Sequence, residues 1–184
     1  MNSKLDKSDL RDILKASYMP QKQASEYMAK RGYGYDPELS TMTQKVFLSP
    51  EGKPIIAERG STRVSDWLIE DPKALFGLPS DRIKLSKELN KATFDKYGVD
   101  ATNTGHSLGG YVIEKGARKG SDIYTYNKAA GLPSLFNKTS KNQTDYRTTL
   151  DIPSAFSTFQ HGGKHESLAG SYNPIASHNL KYLV

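Results

Sequence analysis

The length and composition of the chain favour one compact domain. It has 184 residues, of which 36% are hydrophobic and 10% aromatic, and its formal net charge is +6. This length suits one domain and is too short for a large multidomain enzyme. The apolar content is low, but the small net charge and the aromatic residues argue against disorder. We therefore expect a single domain over residues 1–184.

Several classes of function are disfavoured by composition alone. Cys is absent, which excludes disulfides and thiolate metal sites. The two glycines between His161 and His165 argue against a helical metal-binding face, so we expect neither a metal nor an organic cofactor. No stretch approaches the ~18 apolar residues of a membrane span. The charged N-terminal segment lacks the apolar core of a secretory signal, so we expect an intracellular location.

The basic residues are spread along the chain and form no long run. This distribution argues against a nucleic-acid partner. A basic surface is most simply a solvated one, and its functional alternative is attraction to an anionic membrane surface. The oligomeric state cannot be read from these features.

An N-terminal extension, residues 1–32, is predicted to form two helices that pack on or beside the core. Ser8 is the candidate N-cap of the first helix, and Pro20 ends it. The second helix is expected at about 21–31. The apolar stripe of the first helix consists of Leu10, Ile13 and Leu14.

After this extension, the patterns indicate an α/β fold. An antiparallel hairpin is expected from strands at about 43–49 and 54–60, joined by a Pro-Glu-Gly-Lys turn. The further elements in chain order are a short helix or lid-like segment at 62–78, a helix that starts within 79–81 and ends near 98, a polar strand at 99–105, a helix at 107–119, a strand at 122–127, a short helix at 133–138 and a strand at 144–150. Residues 153–177 are predicted to be mostly loop. The alternation predicts a mostly parallel central sheet with the antiparallel hairpin at its start and helices on both faces.

The segment Gly105-His106-Ser107-Leu108-Gly109 fits the pattern G-x-S-x-G. This pattern is typical of a reactive serine on a sharp turn between a strand and a helix, where small residues leave room for the turn. The backbone N–H of Leu108, at the helix start, can face a developing oxyanion. The alternative is a glycine-rich turn that enters an ordinary helix.

A serine nucleophile needs a base and an orienting acid, which in α/β-hydrolases follow it in the order acid, then His. Asp151 ends a predicted strand, at the end of a parallel sheet where sites form, and Glu166 in a loop is the weaker alternative. His178 is the first choice as base and His165 the second. The other acids after Ser107 lie on the following helix or at the amino ends of strands: Glu114, Asp122 and Asp145.

Two separate motifs carry a resemblance to a known family. Residues 104–110 (TGHSLGG) and residues 58–68 (ERGSTRVSDWL) resemble the nucleophile and oxyanion segments of class 3 lipases, the fungal triacylglycerol lipase-like family of α/β-hydrolases. Glu58 stands where that family usually has Phe. Residues 150–153 (LDIP) resemble its acid segment, and residues 177–178 its terminal His segment.

This resemblance implies a minimal α/β-hydrolase that cleaves carboxylic esters, lipids among them, through an acyl-enzyme. The implied site residues are a Ser107, Asp151 and His178 triad, oxyanion donors at Ser61 and Leu108, and lid or substrate contacts at Val64, Trp67 and Leu68. The apolar lid segment has a core-packing helix as its alternative. A non-catalytic protein on a lipase scaffold, and an acyltransferase or thioesterase with the same triad, are the alternative functions. The chain is also similar to compact, virus-encoded lipase-like proteins. This similarity implies a virus particle as the alternative location.

Overall fold

A computed structural model describes residues 5–61, 80–129, 138–151, 154 and 160–184. These residues build a seven-stranded sheet whose strand order follows the chain order. The strands are β1 (Gly34–Asp36), β2 (Gln44–Leu48), β3 (Pro54–Glu58), β4 (Thr102–His106), β5 (Ile123–Tyr126), β6 (Gln143–Thr148) and β7 (Lys164–Leu168). Strands β1 to β3 pair antiparallel, and each pair from β3 to β7 is parallel. The predicted α/β fold, with a mostly parallel sheet and an antiparallel start, is confirmed.

Helices cover both faces of this sheet. They are α1 (Lys7–Ser17), α2 (Gln21–Ala29), α3 (Ser80–Tyr97), α4 (Leu108–Gly116) and the short α5 (Pro174–Ser177), followed by a 3₁₀ turn at Leu180–Tyr182. The prediction of Ser8 as the N-cap of α1 is wrong. The helix begins at Lys7, and the side chain of Asp6 accepts the N–H of Asp9 at 2.7 Å, so Ser8 lies inside the first turn.

The N-terminal helices lie on one face of the sheet. Buried apolar residues on α1 contact aromatic side chains of β5 and β6 and apolar residues of β2 and β3. The α1 residues are Leu10, Ile13, Leu14 and Ala16, and their partners include Phe47, Ile55, Tyr124, Tyr126 and Tyr146. Successive residues of a strand point to opposite faces, so Ile56 faces the other way and packs with Leu89 of α3. The low apolar content is thus concentrated in small clusters on both faces.

Strand β4 is polar, yet its side chains have partners. Asn103 accepts a hydrogen bond from Asn90 of α3 at 3.0 Å and donates to the carbonyl of Ala101 at 3.0 Å. The Thr104 hydroxyl donates to the carbonyl of Ile56 at 3.1 Å. Buried polar groups are tolerated when they are hydrogen-bonded. A strand that looks unsuitable for a core is therefore stabilised by specific bonds to its neighbours.

Two strands were not expected from the sequence. Strand β1 has three residues, too few for a periodic pattern, and strand β7 lies inside the segment 153–177 that was predicted to be mostly loop. In β7 only Leu168 is buried, because the strand forms the outer edge of the sheet. Edge strands are often polar, which removes the apolar signal. The predicted lid at 62–78 lies outside the described residues, as does nearly all of the predicted helix at 133–138.

Candidate active site

Ser107 occupies a sharp turn between β4 and α4. Its backbone has φ 56° and ψ −128°, a left-handed φ that is uncommon for residues other than glycine. The Ser107 N–H donates to the carbonyl of Tyr126 at 3.1 Å, and its own carbonyl accepts the N–H groups of Gly110 and Ala129, each at 3.0 Å. Such strained backbone is found at functional sites when the surroundings hold it in place.

The glycines of the G-x-S-x-G motif are required by close backbone packing. A Cβ on Gly109 would lie 2.2 Å from the carbonyl oxygen of Glu58 at the end of β3. A Cβ on Gly105 would lie 2.6 Å from backbone atoms of Gly109. The first turn of α4 therefore presses directly on the ends of β3 and β4, and this contact brings Ser107 beside the segment that follows β3.

The structure brings His178 and Asp151 together. His178 Nδ1 lies 2.6 Å from Asp151 Oδ1, and both side chains are buried. The other carboxylate oxygen of Asp151 accepts the N–H of Ser154 at 2.9 Å. A carboxylate on Nδ1 selects the tautomer in which Nδ1 carries the proton and Nε2 is an acceptor.

The second ring nitrogen of His178 is available for chemistry. Its Nε2 is buried and has no hydrogen-bond partner among the described residues, Ser107 included. Hydrogen bonds between catalytic groups are often long in structures without substrate and shorten when substrate binds. The contact of His178 with His106, the residue before Ser107, places the ring beside the turn, since the two rings are 4.7 Å apart between centroids.

The backbone around His178 is held by side chains from the carboxyl ends of three strands. The carbonyl of Ser177 accepts hydrogen bonds from Asn127 at 3.0 Å and Thr148 at 2.7 Å. The carbonyl of His178 lies 3.0 Å from His106 Nε2, and the carbonyl of Asn179 accepts the Tyr126 hydroxyl at 2.9 Å. Three consecutive carbonyls are thus fixed to β4, β5 and β6 or to residues just after them.

The alternative acid and base have other partners. His165 Nδ1 lies 3.3 Å from Asp145 Oδ2, and its Nε2 lies 2.7 Å from the carbonyl of Gly162. Glu166 forms ion pairs with Lys7 and Lys164. Both residues lie on β7, the edge strand, whereas Asp151 follows β6. The geometry therefore favours Asp151 and His178 as the acid and base.

The segment after β3 lies against Ser107, where the sequence predicts an oxyanion donor at Ser61. A Cβ on Gly60 would lie 2.9 Å from Ser107 Cβ. Ser61 follows Gly60 directly and is half-buried. Leu108 is the first residue of α4, and the N–H groups of a first helical turn have no partner within the helix. One predicted oxyanion donor, Leu108, directly follows Ser107 in the chain, and the other, Ser61, directly follows a residue that packs against Ser107.

A buried ion pair anchors the end of β3. The Glu58 carboxylate accepts hydrogen bonds from Arg82 of α3 and from Gln44 of β2, the latter at 2.7 Å. Arg82 also donates to the carbonyl of Arg59 at 2.5 Å. Burial raises the pKa of Glu58, although the nearby Arg82 acts in the opposite direction. An ion pair and hydrogen bonds thus fix the end of β3 and the start of the segment that follows it.

A second group of buried charges lies on the α4 face and was missed by sequence reasoning. Lys128, which follows β5, forms ion pairs with Glu114 of α4 and with Asp145 of β6, the latter at 3.0 Å. Burial opposes both charged forms, but Lys128 with Lys115 lowers the pKa of Glu114 to about 2, and Asp145 with Glu114 raises the pKa of Lys128. The sequence carries no local signal for this group, because its members lie on three elements.

The described ranges add two negative findings. They contain no helix that is both long and apolar enough to cross a bilayer, and no cluster of three or more metal-ligating side chains. The predicted lid or substrate contacts at Val64, Trp67 and Leu68 lie outside those ranges.

Sequence comparison adds no family to this geometry: no protein-family model matches the chain, and no curated protein matches it. The resemblance of the two motifs to class 3 lipases stays a prediction. The functional assignment therefore depends on the residues described above.

Proposed function

We propose that the protein is a serine carboxylester hydrolase that forms an acyl-enzyme on Ser107. The observation that carries this proposal is the buried pair of His178 and Asp151, in which Nε2 of His178 has no hydrogen-bond partner among the described residues. This pair lies at the sheet end where Ser107 occupies its left-handed turn. The same arrangement of nucleophile, base and orienting acid serves acyl transfer on unrelated folds.

In the proposed reaction, Ser107 Oγ attacks the ester carbonyl while its proton passes to His178 Nε2. The tetrahedral intermediate collapses, and His178 gives that proton to the departing alkoxide, which leaves as an alcohol. Water then gives a proton to His178 and attacks the acyl-enzyme, and the acid leaves as Ser107 recovers its proton. Asp151 keeps Nδ1 protonated and stabilises the imidazolium that forms in both halves.

The negative charge on the carbonyl oxygen needs donors on the other side of Ser107. We assign this role to the backbone N–H groups of Ser61 and Leu108. Loss of one donor from such a site typically lowers kcat by ~10²–10³-fold. Ester substrates in general, lipids among them, fit this chemistry, and Val64, Trp67 and Leu68 are proposed as lid or substrate contacts on sequence similarity alone.

Two measurements test the proposal. The wild-type protein should hydrolyse short p-nitrophenyl esters and react with a fluorophosphonate at Ser107, as read by peptide mass spectrometry. Ser107→Ala should lose both. Ser121→Ala is the matched control, because Ser121 is equally buried but precedes β5, at the opposite end of the sheet. A folded wild-type protein that is not labelled would show that the site is non-catalytic.

Product analysis separates hydrolysis from transfer. With a competing alcohol or thiol in the reaction, a hydrolase forms mainly the free acid, whereas an acyltransferase forms mainly the new ester or thioester. A panel of esters, triglycerides, phospholipids and thioesters then gives the substrate class. A jump in rate above the micellar threshold of one lipid is the expected sign of a lid, and a smooth dependence argues against one.

A further inference from the structure

A chain of hydrogen bonds joins the N-terminal helices to both sides of the candidate site. The N–H of Gly60 donates to the Tyr18 hydroxyl at 2.9 Å, and that hydroxyl lies 2.7 Å from His106 Nδ1. His106 Nε2 lies 3.0 Å from the carbonyl oxygen of His178. The chain begins one residue before Ser61 and ends on the backbone of the proposed base.

The direction of each bond follows from which groups carry protons. A carbonyl oxygen only accepts, so His106 Nε2 must carry a proton to bond with His178. A neutral ring then has Nδ1 as an acceptor, which takes the single proton of the Tyr18 hydroxyl. The hydroxyl oxygen remains free to accept the N–H of Gly60. Every group in the chain therefore has one role.

Burial keeps these groups in the required protonation states. Desolvation, with a smaller contribution from His178, lowers the pKa of His106 to about 3. Desolvation also raises the pKa of Tyr18 to about 12. At neutral pH the imidazole is uncharged and the phenol keeps its proton, as the hydrogen-bond chain demands.

Packing supports the same chain. The His106 ring packs against the rings of Tyr126 and His178, at centroid distances of 5.6 Å and 4.7 Å, and Tyr18 meets it edge-on at 5.8 Å. A Cβ on Gly60 would come within 2.7 Å of the Tyr18 hydroxyl, so a larger residue at Gly60 would displace it. The hydroxyl, the imidazole and the carbonyl are thus confined to one arrangement.

We propose that Tyr18 and His106 are positioning residues that set the oxyanion segment and the base relative to each other. This inference rests on the proposed hydrolase function and extends it to the N-terminal helices. Tyr18 caps α1, so α1 contributes to the alignment of the reacting groups as well as to the core. Neither residue hydrogen-bonds to His178 Nε2, so Tyr18 acts through Gly60 and His106, and His106 acts through the backbone and ring of His178.

Kinetics of matched tyrosine variants test this role. Tyr18→Phe removes the hydroxyl and keeps the ring, so kcat should fall on the order of tenfold while KM changes little. Tyr27→Phe is the control. The Tyr27 hydroxyl also makes a hydrogen bond within the N-terminal helices, to Asp12 at 2.7 Å, but it takes no part in the series of hydrogen bonds through Tyr18 and His106. It should keep wild-type kcat. Equal effects of the two variants on kcat would overturn the positioning role.

Variants of His106 supply a rescue test. His106→Gln keeps an N–H that can reach the His178 carbonyl, whereas His106→Leu has no donor. His106→Gln should therefore retain a higher fluorophosphonate labelling rate than His106→Leu. The double variant Tyr18→Phe with His106→Gln should lose less of this rate than the product of the two single losses. If His106→Leu and His106→Gln are labelled at the same rate and have the same thermal stability, the proposal is contradicted.

A readout independent of catalysis separates this inference from the proposed function. Nitrogen-15 NMR of labelled histidine should show His106 neutral with the proton on Nε2 between pH 5 and 8. The Nδ1-protonated tautomer would overturn the inference even if Ser107 is catalytic. If wild-type protein shows this tautomer but no fluorophosphonate labelling, the hydrolase proposal fails and the positioning role fails with it.

Discussion

Gly109 lies so close to Glu58 that no side chain fits between them. A Cβ at Gly109 would be 2.2 Å from the Glu58 carbonyl oxygen, which belongs to the backbone and cannot rotate away. This contact joins α4, the helix that begins just after Ser107, to β3, the strand that precedes the proposed oxyanion segment. The glycine two positions after Ser107 is therefore a structural requirement of the turn.

Gly109→Ala should separate α4 from β3 and destabilise the fold by about 2–4 kcal/mol, because overpacking against backbone forces both elements to move. Urea denaturation gives the free energy of unfolding. Gly34→Ala is the control, since its Cβ would meet only the Leu48 side chain, at 3.2 Å. Similar losses in the two variants would show that the close contact at Gly109 has no special cost.

The choice of base is testable by a pair of histidine variants. His178→Gln should reduce kcat by about 10³-fold or more, because Nε2 of His178 is the proposed proton acceptor. His165→Gln should stay within about twofold of wild type, since His165 bonds to Asp145 and Gly162 at the edge strand. The reverse pattern, measured on a p-nitrophenyl ester, would transfer the role to His165.

Acid sensitivity should depend on His106. The unfolded chain binds a proton at His106 near pH 6.5, but in the folded protein burial lowers this pKa to about 3. The contribution of neutral His106 to the free energy of unfolding is therefore fully present above pH 6.5 and is lost as the pH falls towards 3. When the pH is lowered from 7 to 5, the titration of His106 should decrease the free energy of unfolding by about 2 kcal/mol.

His106→Gln removes this titration, so the variant should lose about 2 kcal/mol less than wild type between pH 7 and pH 5. His161→Gln, at an exposed histidine, should behave like wild type. Urea denaturation at the two pH values measures both. An identical pH dependence in His106→Gln and wild type would mean that His106 is not held neutral.

The buried charges beside α4 should be essential for stability. Lys128→Met removes the buried cation that Glu114 and Asp145 share and leaves Glu114 with the partly exposed Lys115, which should cost about 3–5 kcal/mol. Lys141→Met, at an exposed lysine, should change the unfolding free energy by less than ~0.5 kcal/mol.

Partial recovery would identify the cause as an excess of buried negative charge. Adding Glu114→Gln to Lys128→Met removes one of the two buried carboxylates that Lys128 neutralised, so the double variant should be more stable than Lys128→Met. The comparison also works if Lys128→Met alone folds poorly. In that case, recovery means that the double variant is soluble and unfolds cooperatively in urea. A double variant less stable than Lys128→Met would contradict the electrostatic explanation.

The sequence predicted the parts of the fold that have local patterns. The apolar stripe of α1 and the alternation of strands and helices after Arg63 are properties of short segments, and both lead to the observed architecture. The G-x-S-x-G motif likewise predicted the turn at Ser107, whose left-handed backbone the structure shows. Strand β7 was not predicted, because an edge strand needs little apolar surface and therefore shows no apolar pattern.

Long-range polar contacts could not be read from the sequence. Tyr18 and His106 are 88 positions apart, and Thr148 and Ser177 are 29 apart. No spacing rule connects such residues, since their distance is set by the whole sheet. Sequence order did narrow the base to three histidines after Ser107, and the contact with Asp151 favours one of them.

The polar character of β4 has a consequence for how such a chain can change over time. An apolar core tolerates exchange among residues of similar size, but Asn103 and Asn90 fit each other through a directed bond, as do His106 and Tyr18. A change at one partner leaves a buried group unsatisfied until the other changes too. In diverged sequences with this fold, these two pairs should covary, while the apolar positions of α1 drift independently.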